Sequence, residues 1–237
     1  MGRNNWFQFK QFRVEQSQAA MKVGTDGVLL GAWAPIDDTN RILDVGTGTG
    51  LVALMLAQRS KAEIDALEID QLAYEEAFFN FEQSVWRDRL HCYPGDFNTF
   101  SKDTAHTYDL IVSNPPFFVN SLKTKDPVLS IARHSDALTF DQLISGSKLR
   151  LRPSGRLCVI IPLQSCTEFK ETARVSGFYL KKQTIVIPKV GKISKRVLLE
   201  FSLEKCYPIV DELVILDKES SFSDQFKSLT APFYPAF

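Results

Sequence analysis

The chain has 237 residues, 44% of them hydrophobic, enough to bury one large core and a small appendage. Lys plus Arg equal Asp plus Glu at 28 each, so overall charge argues for no polyanionic partner. The distribution is uneven: residues 1–121 hold 10 basic and 16 acidic side chains, residues 122–205 hold 16 and 7, and residues 206–237 hold 2 and 5. That basic stretch suits either a phosphate backbone or a solvated lysine-rich surface.

Strand-like and helix-like segments alternate from about residue 41, which predicts an α/β domain with a mainly parallel sheet. The expected elements in chain order are a strand over 41–45, a helix over 50–59, a strand over 63–68 and a helix over 72–83. A short strand near 90–93, a strand over 108–113 and a helix over 140–149 follow, the last with its N-cap near Leu138-Thr139 and Asp141 in its first turn. Pro153-Ser154-Gly155 reads as a turn into a strand over 156–161. A helix over 167–175 then stops at Gly177, and strands over 178–187 and 197–203 look like an antiparallel pair joined by a basic loop. About 40 residues before this pattern and about 30 after it read as extensions packed on one domain, because no flexible linker separates them.

Cys92, Cys158, Cys166 and Cys206 form no CxxC pair, and His91, His106 and His134 supply no metal spacing beside them. No metal is therefore expected, and a reducing cytoplasmic compartment fits. The first residues lack the apolar run of a signal peptide, and no stretch reaches the ~18 apolar residues of a membrane span, so no membrane partner is expected.

The first chemical signal is Asp44-Val45-Gly46-Thr47-Gly48-Thr49-Gly50, between a predicted strand and a predicted helix. Glycine lets the chain turn sharply and approach a ligand closely. Dinucleotide folds use G-x-G-x-x-G, whereas Gly46, Gly48 and Gly50 give G-x-G-x-G, which favours a nucleoside ligand with no pyrophosphate, such as S-adenosylmethionine. Asp44 is placed to hold that ligand's ammonium. Glu68, ending the next strand, is placed to accept both ribose hydroxyls, while Asp70 lies past the strand end, where it could cap the following helix. Asp96, after the third strand, could accept from the adenine amine, and any one of these acids taken alone could instead be a loop or cap carboxylate.

The second signal is Asn114-Pro115-Pro116-Phe117 at the end of another apolar strand. The carbonyls of Asn114 and Pro115 can both accept from one exocyclic amine, and neither proline can donate, so the site stays acceptor-rich. Such acceptors draw an amine lone pair out of conjugation and aim it, which is orientational and electrostatic catalysis without a strong base. Phe117 offers a face on which a base can stack. An isolated Asn-Pro-Pro is ordinarily a rigid turn; its place after a G-x-G-x-G unit is what makes it a catalytic candidate.

Together these motifs resemble the class I S-adenosylmethionine-dependent N-methyltransferases, and the chain is similar more closely to the bacterial tRNA(Val) adenine-37 N6-methyltransferases. The closer resemblance rests on Phe7-Gln8-Phe9-Lys10-Gln11-Phe12 with Gln16, on residues 21–33 (Met-Lys-Val-Gly-Thr-Asp-Gly-Val-Leu-Leu-Gly-Ala-Trp), on Ala132-Arg133-His134, and on the aromatic stretch 222–234. It implies a Rossmann-like fold with a seven-stranded, mostly parallel sheet, one antiparallel strand and helices on both faces. It also implies an N-terminal arm and cofactor-capping segment over 1–40, a methyltransferase domain over 41–205, and a C-terminal extension over 206–237. The implied reaction is methylation of the amine of adenine 37 by a monomer acting on the anticodon stem-loop of tRNA.

Within that reading, Thr25 and Asp26 close over the methionine end of the cofactor, or else cap the helix that follows. Arg133, His134, Lys192, Lys195 and Arg196 are the candidate RNA contacts, with Arg133 equally suited to a surface ion pair. Trp6, Phe7, Phe9 and Phe12 suit buried packing of the arm better than covering a base. Competing readings are methylation of a protein glutamine amide, methylation of guanine N2 in ribosomal RNA, and an RNA-binding module without catalysis. Phe117 in place of tyrosine and the short, aromatic-basic N-terminus speak against the first. A length without the usual second, duplicated domain speaks against the second, and the retained Asp44, Gly46, Gly48, Gly50, Glu68, Asp96 and Asn114 against the third.

Overall fold

A computed structural model of the chain describes residues 4–19, 21–115 and 138–235. Its centre is an eight-stranded sheet in the order β10-β8-β9-β7-β6-β3-β4-β5, comprising β3 (Arg41–Val45), β4 (Glu63–Glu68), β5 (Leu90–Pro94), β6 (Tyr108–Ser113), β7 (Leu151–Pro162), β8 (Tyr179–Lys189), β9 (Arg196–Ser202) and β10 (Ile209–Leu216). Only β9 runs antiparallel to its neighbours, β7 and β8. The expected count of seven strands is corrected to eight: β10 pairs in parallel with β8 from Ile209↔Lys182 to Leu216↔Lys189. Its Asp211 and Glu212 interrupt the apolar pattern, and Ile209 and Val210 stay exposed, so only Leu213 of this strand is buried in the core.

The central strands are apolar on both faces because both are covered. Ile42 packs into one core with α1 (Thr25–Trp33) and α2 (Leu51–Arg59), whereas Leu43 and Val45 point into a second core with α4 (Phe97–Asp103), α5 (Phe140–Arg150) and α6 (Cys166–Val175). The predicted N-cap of α5 is present: Thr139 accepts from Gln142 N, and Gln142 reaches back to Thr139 N in a reciprocal box. The predicted turn at Pro153–Gly155 lies inside β7 as a bulge, since Tyr108 pairs with Leu151 and Leu110 with Arg156. At the amino ends of the strands, buried Asp65 takes a forked pair from Arg41 and the Tyr108 hydroxyl at 2.8 Å, which compensates its charge away from the site.

The arm forms a hairpin of β1 (Trp6–Gln8) and β2 (Arg13–Glu15). Phe9 and Phe12 are buried and stacked at 4.7 Å, with Phe9 5.8 Å from Tyr234, so the two ends of the chain pack together. Lys10 N donates to Phe233 O at 2.7 Å, and α7 (Asp224–Thr230) closes that corner. Trp6 remains outside, 42% exposed, with the Arg13 guanidinium 4.3 Å above its ring.

From β3 the chain moves outward through β4 and β5, then crosses back to β6 on the other side. The carboxyl ends of β3 and β6 therefore flank a switch point, where an open α/β sheet leaves a crevice for a ligand.

Candidate active site

Past Val45 the chain turns through Gly46, Gly48 and Gly50, whose φ angles of +73°, +58° and +81° lie in the left-handed region. Gly46 N and Thr47 N donate to Leu67 O at 2.9 and 3.0 Å, and Gly48 N donates to Glu68 Oε2 at 2.8 Å. A Cβ on Gly46 or Gly48 would stand in open space, whereas one on Gly50 would come within 2.5 Å of Phe81 Cε1. The first two glycines keep a cavity floor clear; the third lets α2 approach α3 (Gln71–Glu82).

That floor carries two adjoining cavities. One, of about 210 Å³, is lined by Leu67, Glu68, Asp70, Asp96, Phe97 and Pro115 among others; it is mainly apolar, with three carboxylates. The other, of about 310 Å³, is lined by Thr25, Asp26, Asp44, Thr47 and Thr49 among others. They share Met21, Gly46, Gly48 and Asn114. The structure thus gathers Thr25, Asp26, Asp44, Gly46, Gly48, Glu68, Asp96, Asn114 and Pro115 around one two-lobed space, with Gly50 just behind it. Pro116, Phe117, Arg133 and His134 lie outside the described residues.

Glu68 is buried and accepts three backbone N–H groups: Gly48 on Oε2, and Ile69 and Asp70 on Oε1, both at 3.0 Å. Asp70 caps α3 by accepting from Ala73 N at 2.9 Å, the role its place past the strand end suggested. Asp96 also acts as a cap, its Oδ1 accepting from Thr99 N at 3.1 Å while its residue lines the apolar lobe. Asp44 is buried, and its Oδ2 accepts from the Thr47 hydroxyl at 2.6 Å. Burial pushes its carboxyl up to about 7, with the negative charge of Glu68 adding to the rise and the Thr47 and Ala53 hydrogen bonds opposing it.

Asn114 follows β6 directly, after Ser113 has fixed the strand end by donating its hydroxyl to Val45 O at 2.8 Å. Its side-chain oxygen is buried with no hydrogen-bond partner among the described residues. Leaving such an acceptor dry and unpaired costs ~1–3 kcal/mol, which a donor arriving in the cavity would recover.

Comparison with known proteins matches residues 17–172 to the family described as the Methyltransferase small domain. A Bacteroides fragilis protein named tRNA1(Val) (adenine(37)-N6)-methyltransferase is 45% identical over 230 residues, covering 97% of each chain. Same-named proteins of Flavobacterium johnsoniae and Histophilus somni are 47% and 39% identical, covering 96% and 100% of this chain and 98% and 100% of their own.

The chain belongs to the tRNA1(Val) (adenine(37)-N6)-methyltransferase family.

Solved structures agree on the fold of this family member. A protein described as a predicted O-methyltransferase from Agrobacterium tumefaciens superposes with TM-score 0.70 at 18% identity, over 88% of this chain and 96% of that one. A ribosomal protein L11 methylase from Lactobacillus delbrueckii superposes with TM-score 0.57 at 15% identity, over 79% and 82%. The methyltransferase fold and its S-adenosylmethionine cofactor fit the space described: a carboxylate and apolar surface in one lobe suit a nucleoside, and Asp44 in the other suits an ammonium.

The candidate RNA residues of this methyltransferase divide. Lys192 and Lys195 are exposed in the loop between β8 and β9. Pro162 pairs with Arg196, and Leu163 N donates to Lys195 O at 3.0 Å, so this loop stands at the carboxyl edge of the sheet, the edge that carries Asn114. Arg196 instead donates Nε to Asp26 Oδ2 at 2.6 Å, joining two residues read from sequence as serving different ligands. Asp26 lies in the first turn of α1, whose N-cap is Gly24 without a side-chain bond, so it does not cap that helix. Met21 and Lys22, within the expected capping segment, and Ile69, outside every expectation, also line the cavities; an exposed apolar residue such as Ile69 carries no periodic signal that marks it.

Proposed function

We propose that this methyltransferase transfers the methyl group of S-adenosylmethionine to N6 of adenine 37 in tRNA1(Val), the reaction its relatives are named for. The observation that carries the reading is the buried Asn114 Oδ1, without a hydrogen-bond partner among the described residues, where the two cavities meet. When bound, the cofactor supplies an electrophilic methyl on a sulfonium centre. Glu68 would hold the ribose hydroxyls, Asp96 the adenine edge of the cofactor, and Asp44 with Thr25 and Asp26 its amino-acid end.

For the substrate, Asn114 accepts the N6 hydrogens, and Pro115, which has no N–H, adds its carbonyl as a second acceptor. Both acceptors pull the amine lone pair out of the ring and fix its direction, so the rate comes from orientation and not from a strong base. Pro116 stiffens the motif and Phe117 stacks the extruded base. Lys192 and Lys195, at the same sheet edge, face the phosphates of the anticodon stem-loop together with Arg133, His134 and Arg196. The acting unit is a monomer in the cytoplasm, built as an arm and cofactor cap over 1–40, a catalytic domain over 41–205 and an extension over 206–237. Among the described residues no helix is long and apolar enough to cross a membrane.

The decisive assay is nucleoside mass spectrometry of unmodified tRNA after incubation with the protein and cofactor. N6-methyladenosine at position 37 is expected. Methylation appearing only on guanine N2, or only on a protein glutamine, refutes the reading.

A further inference from the structure

Glu76 lies in the middle of α3, where a charged residue normally faces solvent, yet it is buried. Its carboxylate is turned to the segment that follows the hairpin. Oε1 accepts from Ser17 N (2.5 Å), the Ser17 hydroxyl (3.2 Å) and Gln18 N (2.9 Å), and Oε2 accepts from Ala19 N (2.8 Å). Three successive amides converging on one anion form a backbone nest. No cation pairs with Glu76 among the described residues, so these four donors replace its lost hydration.

One turn further along α3, Asn80 fixes Glu15, two residues before that nest. Its Oδ1 accepts from Glu15 N, and its Nδ2 donates to Glu15 O and Thr49 O, each at 2.9 Å. The same amide therefore ties the N-terminal segment to the glycine turn. Gln16 continues the tie by accepting from Val23 N at 2.8 Å. None of Gln16, Glu76 and Asn80 lines either cavity, whereas Ala19 and Met21 line the nucleoside lobe and Met21, Lys22 and Thr25 line the acidic lobe.

We infer that Glu76 is a positioning residue of the cofactor site: its carboxylate holds residues 17–19 so that Ala19 and Met21 form the outer wall of the donor cavity. This rests on the reading of the two cavities as the S-adenosylmethionine site. A neutral side chain of the same size cannot do the same, because Glu76→Gln puts an amide N–H against one of the backbone N–H groups it must accept. The wall would then detach where it meets the cofactor, while Asn114 and the RNA-facing loop stay in place.

The test is calorimetry and steady-state kinetics on Glu76→Gln beside the wild type. The Kd and KM for S-adenosylmethionine should rise on the order of tenfold, the effect of losing a hydrogen bond to a charged group. kcat at saturating cofactor and KM for tRNA should stay within about twofold. A residue that merely supports the fold would lower Tm without producing this split. A folded Glu76→Gln protein with wild-type cofactor Kd overturns the inference. Should that variant fail to fold, hydrogen exchange on the wild type decides: the amides of residues 17–19 should be protected, and more so with S-adenosylmethionine. Exchange at unstructured-chain rates in both states overturns it. A wild type that takes up no S-adenosylmethionine fails the cavity reading itself, a different result from wild-type binding that Glu76→Gln leaves intact.

Discussion

The proposed contact of Asp44 with the cofactor's ammonium predicts an affinity that depends on pH in a range where few carboxyls titrate. The Asp44 carboxyl stands at about 7 because burial disfavours the charge and Glu68 repels it, more than Thr47 and Ala53 relieve it. A cationic ligand group beside it favours the carboxylate, so binding carries the work of removing one proton at low pH. With a free-state value of about 7 and a bound-state value well below the assay range, the apparent Kd grows with the protonated fraction. From pH 7.5 down to pH 5.5 that factor is about 25-fold for the carboxyl alone, and the ligand's own α-amino group, at about 7.7–8.0 and only partly protonated at pH 7.5, brings the net change to roughly 15- to 19-fold. Calorimetry of S-adenosylmethionine binding across this window measures it, and Asp44→Asn should bind weakly at every pH with most of the slope gone. Stability moves the opposite way. The folded value lies above the unfolded one, so this residue's contribution is fully present below about pH 4 and is lost as pH rises through 7, making Asp44→Asn the more stable free protein at pH 8. A wild-type Kd that is flat from pH 5.5 to 7.5 would refute the reasoning, because it would mean that Asp44 is already charged or does not meet the cation.

Glu68→Ala should weaken S-adenosylmethionine binding by roughly 1.5–3 kcal/mol by calorimetry, and unchanged affinity would move the ribose contact elsewhere. Asn114→Ala keeps the backbone carbonyl and removes the buried acceptor, so single-turnover kcat should fall by roughly 10²–10³ with cofactor Kd little changed. A stable Asn114→Ala enzyme with full single-turnover rates would remove the amine clamp. Reversing charge at Lys192 and Lys195 should raise KM for tRNA and lower the salt slope of log KM by about one for each phosphate no longer neutralised. Wild-type values of both quantities would leave the loop a solvated surface.

The glycine turn and the elements on either side of it were legible because their signals are local. A strand, three glycines and a helix occur within residues 41–59, and the structure puts Gly50 as the N-cap where the predicted helix opens. The place of Asp70 past the strand end pointed to a helix cap, which the structure shows, although Asp70 lines the same cavity as Glu68. What the sequence concealed depends on contacts between distant residues. Asp26 and Arg196 are 170 positions apart, and Glu76 meets Ser17 across 59, so no window of neighbouring residues contains either pair. Strand β10 escaped for another reason: an edge strand with one buried leucine needs no apolar alternation to stay in the sheet. The hairpin strands, three residues each, are too short for any period to register.

The reversed direction of β9 has a consequence for how such a protein can change over time. In a wholly parallel sheet, each connection must travel back to the amino edge, so its length is tied to a crossover helix. Because β9 runs against β7 and β8, the loop over 190–195 starts and ends at the carboxyl edge and owes nothing to any helix. Residues can be added there, removed, or exchanged for others of different charge without shifting the glycine turn, Glu68 or Asp44. On the proposed role of Lys192 and Lys195, a loop that meets the nucleic acid could change its acceptor while the donor machinery stays as it is, provided the Arg196–Asp26 pair at the end of that loop is kept.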